Sequence, residues 1–91
     1  MKVSHIEQRD KLQRVFANDW IIEFPSFVNV GKKLDIVMLE EDTKSNKYSV
    51  VLNGYVFRSY PDYSLVSCGG LMVRMPKRLT LDTVIHLGII M

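Results

Sequence analysis

Cysteine is nearly absent from this chain, and the things it lacks narrow the reading before any motif is weighed. Cys68 stands alone, so no intrachain disulfide can form, and a lone thiol suits a reducing, cytoplasmic setting. Histidine occurs twice, as His5 and His86, with no CxxC or HxxxH spacing. Structural zinc takes four ligands, usually supplied in close pairs, so no metal site is expected. No apolar run approaches the ~20 residues of a membrane-spanning helix. The opening Met1-Lys2-Val3-Ser4-His5-Ile6-Glu7 carries charge where a signal peptide needs a hydrophobic stretch. A membrane partner is therefore not expected. GxGxxG and GxxxxGK are both missing, and Gly69-Gly70 precedes a strand-like run, whereas phosphate cradles open helices. No cofactor is expected. Internal repeats, linkers and low-complexity segments are also missing.

What remains is an ordinary globular composition. The 91 residues are 47% hydrophobic and 24% charged, well away from the disordered class and enough for a single domain spanning 1–91. A mean hydropathy of +0.05 is slightly apolar for so small a body and points to a covered surface. The net charge of +2 divides unevenly. Residues 1–42 hold six Lys/Arg against eight Asp/Glu, and residues 43–91 hold six against two. A split of this kind is ordinarily scattered solvated charge, with a basic face for an anionic partner as the sharper reading.

The strongest local signal is Asn53-Gly54, set between the β-type runs Lys47–Leu52 and Tyr55–Ser59. A two-residue turn there would place Leu52 opposite Tyr55 and Val50 opposite Phe57, with Tyr48, Val50, Leu52, Tyr55 and Phe57 on one face. Gly69-Gly70 predicts a second hairpin, with Cys68 facing Leu71, Val66 facing Val73 and Ser64 facing Met75. Trp20–Phe24 and Leu34–Glu40 read as further strands, and Glu41–Asn46 as a polar loop.

At the N-terminus, Ser4-His5-Ile6-Glu7 has the form of a capping box. From there to about Asn18, Ile6, Leu12, Val15, Phe16 and Trp20 share one helical arc. Glu7–Lys11 and Asp10–Arg14 form favourable i,i+4 pairs. An amphipathic helix is predicted. Residues 80–91 are ambiguous: Thr80 or Asp82 could cap a short helix, while β-branched residues argue equally for a strand. A short helix is expected. The terminal Ile89-Ile90-Met91 is apolar and so expected to be packed.

Candidate chemistry is sparse. Cys68 shares a strand face with valines and reads as a small buried hydrophobe, not a nucleophile with a histidine base. Asp35, Glu40, Glu41 and Asp42 lie in or beside a polar loop, without the enclosure that tunes a carboxylate. Arg74, Lys77 and Arg78, with Lys47, Arg58 and Tyr60 and with Tyr55 and Tyr63 nearby, form the best polar cluster. A basic surface with aromatic rings is how single strands of nucleic acid are held. A formal +2 is weak for that purpose.

The apolar surplus is more telling. Val51, Val56, Leu65, Met72, Ile89, Ile90 and Met91 fall on faces that one helix cannot cover, so a second copy of the chain or another protein is expected to bury them. The expected fold is α+β: an N-terminal amphipathic helix, then a four- to six-stranded antiparallel meander with the C-terminal segment packed on it. A curled SH3-like or other small barrel is the runner-up. The expected function is non-enzymatic: a homo-oligomeric inhibitor or regulator that binds another macromolecule, of the size that phages, among others, encode. The alternative is a nucleic-acid or nucleotide binder.

Overall fold

Period-two alternation carries this chain, and it does so from the first residues onward. The computed structural model describes residues 1–91 and contains eight strands and no helix. They are β1 (Val3–Gln8), β2 (Leu12–Ala17), β3 (Trp20–Pro25), β4 (Asp35–Leu39), β5 (Val50–Ser59), β6 (Ser64–Cys68), β7 (Leu71–Met75) and β8 (Val84–Ile90). All pair antiparallel in one sheet of order β1-β2-β3-β7-β6-β5-β8-β4. Two three-stranded meanders, β1-β2-β3 and β5-β6-β7, meet at β3 and β7. β8 then enters between β5 and β4.

The sheet curls on itself. Residues just before β4 pair with the start of the chain: Lys2 bridges Lys33, the Val3 amide donates to the Lys32 carbonyl at 2.8 Å, and the Leu34 amide donates to Met1 at 2.9 Å. One continuous path, residues 32–39, thus touches β1 at one end and β8 at the other. The inner face forms a 14-residue core that includes Val15, Ile22, Phe24, Val56, Val66, Val73, Leu87 and Ile89, each fully buried. Burial of this apolar surface is the dominant stabilising term in a body this small.

The expected N-terminal helix is corrected to a hairpin, which overturns the α+β class. Ile6 faces Val15, His5 faces Phe16 and Glu7 faces Arg14. Ser4 caps nothing. It lies where the β1 register shifts, and its hydroxyl donates to the Phe16 carbonyl at 3.1 Å. The apolar spacing 12, 15, 16, 20 suits a helix, yet the buried set in β2 is Gln13, Val15 and Ala17. The inward Gln13 is accommodated because its side-chain amide donates to the carbonyls of Pro25 and Val28. Asn18, in the left-handed region at φ 52°, makes the two-residue turn into β3, with Ala17 facing Trp20.

The Asn53-Gly54 turn is a second correction, because both residues lie inside the ten-residue strand β5. Gly54 is there for proximity. A Cβ at this position would fall on the Ser67 carbonyl oxygen and within 2.7 Å of the Cys68 sulfur. A glycine in a strand commonly marks such a close backbone approach. It lets β5 change partners, with Val50–Tyr55 paired to β8 and Tyr55–Ser59 to β6. The C-terminal segment is a strand, not a helix. β8 has Ile85, Leu87 and Ile89 inside, and Gly88 on the outer side, where the Tyr48 ring occupies the space of a missing side chain.

Candidate functional site

Cross-strand register assembles two surfaces on the outer side of the sheet from residues distant in sequence. The first is apolar. Tyr55 of β5 lies directly opposite Val84 of β8 on one side and Ser67 of β6 on the other, and Ser67 faces Met72 of β7. Tyr55 is 49% and Val84 64% exposed. The residue after Val56 begins a register shift in β5, and Phe57 falls in that irregularity, also exposed. The turn before β8 lies alongside: the Val56 amide donates to the Thr83 carbonyl and the Asp82 amide donates back to Val56. This turn carries Leu81, 54% exposed. Four large apolar side chains therefore meet water along β5 and the start of β8.

The second surface is cationic and aromatic. Arg58 and Arg74 sit on either side of Leu65 in adjoining strands, roughly 10 Å apart at the usual strand spacing. The Arg74 guanidinium lies 3.9 Å from the Tyr63 ring centroid, and Tyr60 stacks on the same ring at 4.5 Å and 19°. A delocalised cation over an aromatic face is held by the ring quadrupole. Asp19 and Asp62 line the same shallow depression of about 270 Å³ as Tyr63 and Arg74, so its field is mixed. The loop with Lys77 and Arg78 is anchored from below. The buried Ser64 hydroxyl donates to the Lys77 carbonyl at 2.7 Å and accepts the Leu79 amide at 2.8 Å. Both basic side chains remain exposed.

The residues expected from sequence are divided by this geometry. Arg58, Arg74 and Tyr60 come together. Lys47 lies before the opposite end of β5 and rests 5.8 Å from the Tyr48 ring, so it is separate from that group. Of the apolar set, Val56 and Ile89 are fully buried in the core and cannot face a partner. Their faces were assigned from a turn and a helix that do not form. Val51, Leu65, Met72 and Ile90 are half-buried on the outer side, and Met91 packs against the core. Tyr55, Phe57, Leu81 and Val84 were missed as a group. A helix over 80–91 and a turn at Asn53-Gly54 leave Val84 and Tyr55 on unrelated elements, and only the β5–β8 register joins them.

Cys68 is buried, and burial pushes its thiol up to about 11. It is protonated at neutral pH. His86 lies on the outer side opposite Asn53, whose side-chain oxygen is 2.7 Å from His86 Nδ1. The Asn53 amide nitrogen donates to Asp42 at 3.0 Å. That leaves the Asn53 oxygen as the acceptor and places the imidazole proton on Nδ1. His5 packs against Phe16 with the rings tilted, at 5.5 Å and 45°, on a different part of the sheet. No three His, Cys, Asp or Glu side chains converge as metal ligands do, and no helix is long and apolar enough to cross a membrane. The chain matches no protein-family model, and no similar curated protein or solved structure was found for it.

Proposed function

We propose that this chain is a non-enzymatic interaction protein that inhibits or regulates another protein by occupying a surface on it. The observation that carries this reading is the exposed apolar row on β5 and β8, with Tyr55 opposite Val84 and with Phe57 and Leu81 alongside. Scattered exposed apolar residues need no explanation, but a group of them on one sheet face is typical of protein-binding surfaces. Tyrosine and phenylalanine supply much of the energy at such faces, because they cover a large area for little lost conformational freedom. Arg74 and Tyr63 lie farther along the same outer face and supply polar, orienting contacts at its rim.

Photo-crosslinking tests the reading. A benzophenone side chain at position 55 should trap one discrete protein from the native host, and the same probe at exposed Glu41 should not. Val84→Asp should abolish the product with the fold intact. Equal capture at both positions would sink the reading.

The Arg58–Arg74–Tyr63–Tyr60 group supports a second reading, binding of single-stranded nucleic acid. It predicts a salt-sensitive anisotropy change with a labelled oligonucleotide, abolished by reversing charge at Arg74 and Lys77. Asp19 and Asp62 beside Arg74 weigh against it.

A further inference from the structure

Three charges share the depression at the end of β7 without neutralising one another. β7 lies between β3 and β6 and runs antiparallel to both, so its last residues meet the turns that begin those strands. Arg74 faces Ile21 of β3 and Leu65 of β6. Asp19 is the second residue of the turn into β3, where Ala17 pairs with Trp20. Asp62 holds the same place in the turn into β6, which the Tyr60 amide closes by donating to the Tyr63 carbonyl at 2.9 Å. The two carboxylates thus flank Arg74 from strands two apart, roughly 10 Å at the usual spacing. With Tyr63 and Pro76 they line a volume of about 270 Å³. The ion pairs of the chain join Met1 to Asp35 and gather His5, Arg9 and Arg14 around Glu7 and Glu23, so Asp19, Asp62 and Arg74 take part in none. Tight turns carry the short aspartates, and the guanidinium is held 3.9 Å from the Tyr63 ring, which Tyr60 backs at 4.5 Å. The opposite charges are kept apart, and the arginine fork is oriented in advance.

We propose that this depression binds a free basic amino acid of the lysine class. The ligand carboxylate meets the Arg74 guanidinium, whose planar fork of donors matches two oxygens. Its two ammonium groups meet Asp19 and Asp62, and its methylene stem lies against Pro76. The charge count selects this class. One guanidinium and two carboxylates complement a ligand with one negative and two positive groups. A neutral zwitterion leaves one aspartate unpaired, a diamine leaves Arg74 unpaired, and a phosphate would meet two carboxylates beside a single arginine. The volume agrees, since it falls just below the ~300–1,000 Å³ of pockets for drug-sized molecules.

The site lies apart from Tyr55 and Val84 and does not rest on the interaction-protein reading, so the two fail independently. Amide chemical shifts of the full chain, titrated with L-lysine at low salt, test it. Saturable shifts are expected at Asp19, Asp62, Tyr63 and Arg74. Three probes each remove one charge: norleucine lacks the ε-ammonium, Nα-acetyl-lysine the α-ammonium and cadaverine the carboxylate. Each should bind about threefold or more weaker than lysine. Asp62→Asn, at an exposed turn that keeps its shape, should weaken lysine to a similar degree, and Arg74→Gln should remove saturable binding. Asp10→Asn, an exposed carboxylate at the opposite end of β2, should change nothing. An absence of saturable shifts with lysine, any of the three probes binding as tightly as lysine, or an Asp62→Asn chain that binds lysine unchanged would each overturn the proposal.

Discussion

Glu23 lies directly opposite Arg14 across β2 and β3, and its two carboxylate oxygens do different work. One accepts from the Arg14 guanidinium at 3.1 Å, and the other accepts the Met72 amide at 2.8 Å. The backbone ladder between β3 and β7 extends only over Ile21 and Ile22, so the carboxylate takes over the next rung. Arg14 also approaches Glu7 of β1 at 3.8 Å, and its Nε is buried without a partner. Removing Glu23 would leave a half-buried cation and an orphaned amide. Glu23→Ala is therefore expected to cost about 3 kcal/mol in urea denaturation. Replacing Arg14 and Glu23 together with Met and Leu should recover part of that loss, because no unpaired charge remains. Equal, additive losses would show that the pair is not coupled.

Gly54→Ala separates a turn from a strand crossing. In a tight turn needing positive φ the change would cost about 1 kcal/mol. Here the new methyl meets the backbone carbonyl of Ser67, which cannot rotate away. A loss of about 3 kcal/mol is expected, with β5 and β6 forced apart. Chemical denaturation of Gly54→Ala beside Gly69→Ala gives the comparison, since open space surrounds Gly69 and only its φ of 58° opposes a side chain.

Cys68 makes a pH prediction whose sign follows from its burial. Its thiol is raised from 9.0 to about 11 in the folded chain, so between those values the unfolded chain has released a proton that the folded chain retains. The contribution of Cys68 to stability is full below pH 9 and falls as pH rises toward 11. Cys68→Ser should flatten this decline in a melting series from pH 8 to 11. In the native chain at pH 8, Ellman's reagent should react at a rate set by opening of the sheet, and immediately once the chain is in guanidinium.

The Gly69-Gly70 hairpin was legible in full: Cys68 faces Leu71, Val66 faces Val73 and Ser64 faces Met75, as the alternation on either side requires. Both glycines have positive φ, and nothing nonlocal enters that assignment. Elsewhere the deciding contact lay far along the chain. The spacing of Leu12, Val15, Phe16 and Trp20 fits a helix as well as two strands, and Asn18-Asp19 is a quieter turn signal than a capping box. Gly54 looked like half of a turn because its reason, the approach of Ser67, is thirteen residues away. For the candidate site, Arg58, Arg74 and Tyr60 could be gathered by type, but the row Val84–Tyr55–Ser67–Met72 depends on three separate registers. Composition flagged apolar surplus without showing which valines were inside.

The place of β8 in the sheet has a kinetic consequence. β4 has no strand partner but β8, and the first half of β5 pairs with β8 alone, so residues 35–55 must wait for residues 84–90 before they can settle. Ile22 likewise waits for Val73, and Ile36 for Ile89. Such long loops must close before their contacts repay the lost entropy, which places refolding in the millisecond-to-second range of nonlocal β topologies. On the ribosome, the chain has to be kept from aggregating with β4 unpaired until its last strand emerges.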